Sequence, residues 1–374
     1  MTSTHAGRLE RWLGLDAVTK ISGSMRDWPG PPIAVAGVPG NVWAMRGGDF
    51  RGRIGAGQFT CALDFGIARA QRILRDTARR QRVTACAGFA SLSDLIAEAT
   101  AGKRREIVFQ RAGPTGVIAV TSSLWRLGNQ PGAGGAGSAA PGGRAVDGTV
   151  AGAIYGLDAV GPDTRHFVSA WAIASVAGQT LLLYDRLYDR LFDVACNMNS
   201  TSTQSVTGVP TRYQSSTVTD PDYAGGNFCF IEVGTPALAA TAHNWTVCRY
   251  RNQAGADTIS FPSMAGNSGA IVDRLDHPIS SWFMPLAAGD TGVMDLDQMQ
   301  SSGAMATGAG NFVIGHPIAF HPVPLANIAC QYDGINTAFN LVRVFDGAAL
   351  AWLELSKPST TATTYNGGVT FVHG

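Results

Sequence analysis

The residues with the clearest potential for chemistry are His243, Asp257 and Ser268. Ser268 lies in a glycine-rich segment, GNSGAIVD at residues 266–273, and His243 lies in TAHNWTVC at residues 241–248. A serine hydroxyl attacks acyl groups when a histidine takes its proton and a carboxylate orients that histidine. The pattern therefore raises the hypothesis of a serine hydrolase that uses Ser268.

The two segments resemble the nucleophile and histidine motifs of chymotrypsin-like serine proteases, and the three residues follow that family's order. The spacing differs, because the family places its histidine and serine in separate barrels, whereas 25 residues separate them here. Asn267 also stands where the family has Asp, and Ala270 where it has a second glycine. We therefore interpret GNSG as a turn before a buried strand at Ala270–Val272, and we expect no catalytic residues.

Residue types that bind metals or cofactors are widely spaced in this chain. The cysteines are Cys61, Cys86, Cys196, Cys229, Cys248 and Cys330. No two of them have two-residue spacing, so we expect buried free thiols rather than a zinc cluster or a redox motif. His316 and His321 each precede a proline, which predicts an extended or turning segment with loop histidines rather than a helical metal pair. No phosphate-binding loop is present, and we expect neither cofactor nor metal.

Charge is distributed unevenly along the 374 residues. Residues 1–112 carry 17 Lys and Arg against 9 Asp and Glu, for a net charge of +8, whereas residues 113–374 carry 11 against 18, for −7. This asymmetry favours an anionic partner for the front, or the acidic part of a neighbouring copy. Charged residues are only 15% of the chain, below the roughly 25% typical of soluble domains. We therefore expect other proteins to cover much of the surface.

Two helices are predicted in the basic front. Apolar residues at three- and four-residue steps over Cys61–Val83 indicate an amphipathic helix with a basic face. A second helix is expected to begin after Ser91 or Ser93 and to end at Gly102. Its apolar side would contain Leu92, Leu95 and Ile96. The candidates for contact with DNA phosphates or an acidic protein are Arg69, Arg72, Arg75, Arg79, Arg80, Arg82, Lys103, Arg104 and Arg105.

Short segments rich in β-branched and aromatic residues follow, separated by Gly, Pro, Asn and Asp. They are Ile107–Gln110, Gly116–Ser122, Thr180–Tyr184, Phe228–Val233, Trp245–Tyr250, Ala270–Asp273, Phe312–Ile314, Phe339–Phe345, Ala351–Leu355 and Val369–Val372. Many short strands predict a mainly β fold, with a β-sandwich or jelly-roll body after an N-terminal arm that contains one or two helices.

A tandem repeat, YDRLYDRL, occupies Tyr184–Leu191. In a helix, residues four apart share a face, so each residue type would form its own column. Two interpretations stay open: a helical turn packed on the core, or a clamp at a subunit interface. The interface candidates are Tyr184, Asp185, Arg186, Tyr188, Asp189 and Arg190.

Residues 167–184 run 18 residues without a charge, which is the length at which a membrane helix must be considered. Ser, Gly, Gln and Thr interrupt their apolarity, so we predict a buried helix or strand at Phe167–Val176 and a strand after it. The opening MTSTHAGRLERW lacks the pattern of a signal peptide. We therefore expect no membrane partner and no export.

Composition predicts four regions in the chain. Residues 1–60 are an extended arm, 61–126 a helical basic region with the first strands, 127–148 a glycine-rich linker loop, and 149–374 the β-rich body. The tryptophans expected in the core of the body are Trp125, Trp171, Trp245, Trp282 and Trp352.

This order of regions resembles the virion structural proteins of tailed bacteriophages. The resemblance is carried by LLLYDRL at Leu181–Leu187, the span TSTQSVTGVPTRY and the end TTYNGGVTFVHG. It implies a non-enzymatic subunit, made in the host cytoplasm and located in the virion, that stabilises the capsid shell as a cement or minor capsid protein. The implied partners are copies of itself, the major capsid protein or other virion proteins, and packaged DNA through non-specific contacts.

Other functions stay open at this stage. The chain could be a head–tail connector or tail component, or a module that binds a host surface or carbohydrate. A serine hydrolase that uses Ser268 is the remaining alternative.

Overall fold

The computed structural model describes residue 89 and residues 91–374, except residues 116, 141, 155–156, 193–199, 207, 268–270, 338–340 and 356. The described residues belong to one compact unit. The predicted arm at 1–60, the helix predicted at Cys61–Val83 and the arginines from 69 to 82 lie outside the described residues.

The second predicted helix is confirmed. Helix α1 spans Leu92–Glu98, and the hydroxyl of Ser91 caps it by accepting a backbone N–H at 3.1 Å. A π-helical turn, Ala99–Lys103, continues it, and Gly102 in that turn has a φ of 92° that favours glycine. The predicted apolar side is only partly buried, because Leu95 is buried while Leu92 and Ile96 are exposed.

Strands dominate the described residues, and the prediction of a mainly β fold is confirmed. In chain order they are β1 (Arg104–Ala112), β2 (Ser122–Ser123), β3 (Asn129–Gln130), β4 (Arg144–Ala145), β5 (Arg165–Ala174), β6 (Gln179–Phe192), β7 (Gln204–Ser205), β8 (Phe228–Val233), β9 (Asn244–Trp245), β10 (Arg249–Asn252), β11 (Ile259–Ser260), β12 (Met264–Ala265), β13 (Val293–Met299), β14 (Gly310–Val323), β15 (Cys330–Asp333), β16 (Leu350–Glu354) and β17 (Thr364–His373). A short helix, α2 (Gly334–Thr337), follows β15.

The strands form two large antiparallel sheets and two small ones. One large sheet has the order β2-β16-β6-β14-β8, with β4 also paired to β6, and the other has the order β15-β5-β17-β1-β3. The small sheets are β11-β10-β13-β7 and β12-β9. Strands β6 and β14 are the longest and pair with each other from end to end. They form the centre of the first sheet.

The sheet that contains β6 and β14 is buried on both faces. On one face, Leu183 and Trp352 pack against Phe109 and Phe371 of the other large sheet, which encloses a core as in a sandwich. Farther along the same face, a second apolar cluster that includes Leu187 contains side chains of the small sheets. On the other face, Leu182 belongs to a third cluster that includes loop residues such as Trp125. Burial on both faces explains the nearly continuous apolar run in β6.

Several strand predictions are wrong in detail. Residues 117–121 form a turn, in which Ala119 has a φ of 64°, and residues 271–273 form another, in which Asp273 has a φ of 72°. Residues 341–345 make one isolated bridge and no regular strand. Val344 is nevertheless buried in the core. Local composition therefore does not distinguish a buried loop from a strand that is paired in a sheet.

The glycine-rich segment at 127–148 is packed against the body and does not separate two bodies. The carbonyl of Gly135 accepts a hydrogen bond from Trp125 Nε1 at 3.2 Å, and Gly137 N donates to Asn311 Oδ1 at 3.1 Å. A side chain at Gly134 would lie 2.4 Å from Trp125 Nε1. Here glycine permits close approach of backbone to a buried ring, so the low-complexity composition reflects packing.

Candidate functional site

His243 lies in a buried hydrogen-bonded centre. Its Nε2 is 2.8 Å from Asp276 Oδ2, and its Nδ1 is 2.8 Å from the carbonyl oxygen of Thr241. The Asp276 carboxylate also accepts hydrogen bonds from Trp245 Nε1 at 2.9 Å and from the backbone N–H of Asn267 at 2.6 Å. Every polar atom of the His243 ring therefore faces an acceptor.

Two acceptors require two N–H donors, so this geometry holds the His243 ring in its cationic form. Burial alone would lower the pKa of His243, but the hydrogen bond and the charge of Asp276 raise it. Burial would likewise raise the pKa of Asp276, but His243 and the other donors lower it. An imidazolium without a free nitrogen cannot take a proton from a serine. The pair is a structural ion pair.

The other members of the suggested triad are placed differently. Asp257 is exposed, and its carboxylate is 3.3 Å from Arg251. Ser268 lies outside the described residues, but nearby Gly266 contacts the ion pair so closely that a Cβ there would be 2.0 Å from His243 Nε2. The GNSG segment thus begins as a tight cover over the ion pair, and glycine is needed for that contact.

His316 and His321 lie in strand β14, so the backbone is extended as predicted, but the prediction that they are loop histidines is wrong. The His316 ring stacks on Tyr213 with centroids 3.7 Å apart, and burial lowers its pKa to about 3. His321 Nε2 is 3.0 Å from the carbonyl oxygen of Cys330. The prolines that follow both histidines are tolerated because β8 pairs only with the first six residues of β14.

The tandem repeat forms part of strand β6 and not a helix. A four-residue period fits a strand as well as a helix, because residues i and i+4 also share a face of a strand. A bulge at Leu187 interrupts the alternation, since Tyr188 pairs with Ile314 and Arg186 with Gly315. Every side chain of the repeat is buried within this chain. The repeat is therefore not an exposed interface clamp, and its Tyr, Asp and Arg residues are not available to a partner.

Each aspartate of the repeat binds an arginine from elsewhere in the chain. Arg212 donates to both oxygens of Asp185 at 2.7 and 2.9 Å, and Arg144 donates to both oxygens of Asp189 at 2.8 and 3.1 Å. Two parallel hydrogen bonds give such pairs a defined geometry. They attach the loop at 211–212 and the glycine-rich segment to the central strand.

Arg186 completes this buried network. It donates to Glu232 at 2.8 Å and to Asp189 at 3.3 Å, and its guanidinium lies 4.6 Å from the centre of the Trp125 ring. Burial alone would lower the pKa of Arg186, but its hydrogen bond with Glu232 and the combined attraction of Glu232 and Asp189 raise it. Removal of one partner from such a network is costly because the remaining charge has no compensation. The network therefore joins β6 to β8 across the intervening strand β14.

The basic residues after helix α1 already have acidic neighbours. The pairs are Lys103 with Glu98 and Asp163 at 2.9 Å, Arg104 with Glu106 at 2.9 Å, and Arg105 with Asp158 at 3.9 Å. Their charge is thereby partly neutralised within the chain. This weakens the case for Lys103, Arg104 and Arg105 as a phosphate-binding cluster.

Exposed apolar side chains lie together on three segments that contact one another, which are residues 112–125, 277–289 and 298–332. We call them the apolar surface: Val117, Ile118, Ile279, Trp282 and Phe320, which are 44%, 57%, 66%, 39% and 42% exposed. The first two segments are joined by a hydrogen bond from Ser280 N to Ala119 O at 2.9 Å. The second and third are joined by the Trp282 and Phe320 rings, whose centroids are 6.3 Å apart. The prediction that Trp282 lies in the core is wrong.

These segments contain no formal charge. Residues 112–125, 277–289 and 298–332 include no Asp, Glu, Lys or Arg. The histidine at the start of the second segment, His277, is buried, and burial lowers its pKa to about 4, so it is neutral near pH 7. Monomers seldom expose apolar side chains together in so uncharged an environment without a binding role.

No model of a known protein family matches this chain, and no curated protein is similar to it. Over the described part of the chain, no helix is long and apolar enough to span a membrane, and residues 167–184 lie in strands β5 and β6 and the turn between them. Within the same residues, no group of three or more His, Cys, Asp or Glu side chains is placed to hold a metal ion. The apolar surface is the candidate functional site on this part of the chain.

Proposed function

We propose that this chain is a non-enzymatic structural subunit of a bacteriophage virion, which stabilises the capsid shell as a cement or minor capsid protein. The observation that carries the proposal is the apolar surface. Protein interfaces have an apolar, charge-poor centre enriched in aromatic residues, and the Trp282 and Phe320 pair provides such a centre. The partners are other copies of the chain and other virion proteins.

The construction of the body supports the same role. A cement protein must transmit load without deforming, and the central sheet here is buried on both faces and tied to its loops by two-point ion pairs. Close-packed interiors have low compressibility. The low share of charged residues, 15% of the chain, agrees with a surface that other proteins cover.

The test is a charge introduced into the apolar surface. Ile279→Arg places a cation at its most exposed position, and Val218→Arg is the matched control, because Val218 is 74% exposed but lies outside the three segments. We expect the wild type and Val218→Arg to self-associate or to bind phage capsids, and Ile279→Arg to bind at least tenfold more weakly. Light scattering and co-sedimentation with capsids measure this.

A wild-type chain that stays monomeric and does not sediment with capsids would contradict the proposal. Equal binding by the wild type and Ile279→Arg would contradict the assignment of the apolar surface. Thermal unfolding of both variants shows whether they are folded, since both positions are exposed and substitutions there should leave stability nearly unchanged.

A second candidate function, carbohydrate binding at a host surface, is favoured by the same exposed aromatic pair. Aromatic rings can pack against the apolar faces of sugars as they do against other apolar groups. In that case Trp282→Ala would abolish binding on a glycan array while self-association persists. Loss of self-association without any glycan binding would favour the virion subunit.

A further inference from the structure

A cavity of about 400 Å³ opens where three loops meet, and its volume lies within the range of small-molecule sites. Its walls come from residues 161–165, 211–212 and 343–347, together with Asp147. A smaller cavity of about 230 Å³ shares Asp147, Asp346 and Gly347 with it. The apolar surface contributes none of these walls.

Arg212 presents an unused donor to this cavity. The residue is only 7% exposed, and its Nε and Nη2 atoms bind Asp185 and the carbonyl oxygens of Val146 and Arg186. Its Nη1 makes no hydrogen bond with the described residues, although Arg212 lines the cavity. A buried guanidinium with free N–H groups can bind an acceptor without first losing much solvation or conformational freedom.

Arg343 presents a second unused cation. Its guanidinium carbon lies 4.3 Å from the centre of the Phe345 ring, and both side chains line the cavity. Its Nε is buried and has no hydrogen-bond partner, and its side chain makes no ion pair among the described residues. Stacking on Phe345 restrains the guanidinium plane beside the cavity.

The carboxylates around the cavity are largely committed to other groups. Asp346 forms an ion pair with Arg165 at 3.2 Å and accepts a hydrogen bond from Val160 N at 3.1 Å, and Asp163 binds Lys103 and His373 at 2.9 and 2.8 Å. Asp147 accepts from Thr149 through one oxygen and leaves the other free. Arg212 Nη1, the Arg343 guanidinium and one oxygen each of Asp147 and Asp163 therefore remain for a ligand.

We infer that the cavity is a binding site for a small oxyanion, a carboxylate or a phosphate, that carries a hydroxyl group. Arg212 Nη1 and the Arg343 guanidinium bind the anionic oxygens, since the planar donors of arginine match carboxylate and phosphate geometry. The free oxygen of Asp147 accepts a hydrogen bond from the hydroxyl. This site is independent of the proposed assembly function, because it shares no residue with the apolar surface.

The test is calorimetric titration of the full chain with citrate and with inorganic phosphate, in buffers matched in ionic strength with chloride. We expect saturable binding of at least one probe at a single site, and Arg343→Gln should weaken it by about tenfold or more, as loss of a charge-assisted contact predicts. The matched control is Arg104→Gln, which removes the same charge from an exposed residue of β1. It should leave binding unchanged.

Binding of citrate alone identifies a carboxylate site, binding of phosphate alone identifies a phosphate site, and either result supports the inference. Absence of saturable binding of both probes at millimolar concentrations would overturn it. So would equal weakening by Arg343→Gln and Arg104→Gln, which indicates general charge attraction. Unchanged thermal unfolding of Arg343→Gln separates loss of the site from loss of the fold, and capsid binding by the same variant should persist.

Discussion

His243 and His316 are both buried, but their neighbours favour opposite protonation states. His243 faces a carboxylate and a carbonyl oxygen, which hold its ring as a cation. His316 lies flat against Tyr213 and is 2.8 Å from an amide oxygen, that of Asn227, with no carboxylate bonded to it. Burial dominates there and lowers the pKa of His316 to about 3. The hydrogen-bond partner of a buried histidine therefore determines its protonation state.

The pH dependence of stability should report on His316. An unfolded histidine has a pKa near 6.5, whereas folding lowers the pKa of His316 to about 3, so the unfolded chain binds more protons between these values. Its contribution to the free energy of unfolding should therefore fall as pH falls through this window, by roughly 1.5 kcal/mol from pH 6.5 to 5.

Replacement of the ring by phenyl in His316→Phe keeps an aromatic ring against Tyr213 and removes the titration. Urea unfolding of the wild type and the variant at a series of pH values measures the difference. We expect the wild type to lose stability relative to the variant on acidification. Parallel stability curves between pH 6.5 and 5 would show that folding does not shift the pKa of His316.

The sequence repeat in strand β6 has a period that is compatible with both a helix and a strand. The four-residue repeat at Tyr184–Leu191 fits helical columns and strand faces alike. The segment forms a strand because it pairs with β14 along its full length. The bulge at Leu187 places Arg186 beside Asp189. The ion pairs that lock this strand come from positions 27 and 45 residues away in sequence. Local periodicity carries no information about those partners.

The pairing of β14 with β6 and β8 should be sensitive to volume at Gly315. A Cβ at this position would lie 2.7 Å from Tyr184 Cδ2 and 3.0 Å from Phe228 Cζ. Gly315→Ala is therefore expected to reduce the free energy of unfolding by about 1–3 kcal/mol through overpacking. Denaturant unfolding checks this against Gly128→Ala, where a Cβ meets nothing within 4 Å. Equal effects of the two substitutions would argue against close packing at Gly315.

At the scale of the whole molecule, two kinds of contact with partners are distinguishable. The apolar surface lies in segments without charged residues, whereas the basic candidates lie in the front of the chain, at residues 69–105. Salt screens charge contacts and leaves apolar contacts intact. The proposed contacts with a protein lattice and with DNA would therefore differ in their salt dependence.

Association between subunits should therefore persist at high salt. We expect capsid binding or self-association to stay within about twofold between low salt and 0.5 M NaCl, because burial of apolar area supplies the driving force. Binding to duplex DNA, in contrast, should fall steeply over the same range through counterion release. Sedimentation at several salt concentrations measures both. Loss of subunit association at high salt would mean that charge, and not the apolar surface, drives assembly.

The sequence by itself determined the mainly β class, because short β-branched and aromatic runs between Gly, Pro, Asn and Asp have a strong local preference for extended backbone. It also determined helix α1, since Ser91 and Gly102 satisfy local cap and stop requirements. It located several strands closely, among them β8 at Phe228–Val233. These features depend on residues that are neighbours in sequence.

Only the tertiary structure decided that Asp276, and not Asp257, pairs with His243, that the glycine-rich segment is packed, and that Trp282 is exposed. Trp125 and Trp282 belong to the same residue type, yet one is fully buried beside Arg186 and the other lies at the surface near Phe320. Such differences come from chain segments that meet over long sequence distances. The apolar surface and the arginine-lined cavity both arise in this way, so local pattern could predict neither.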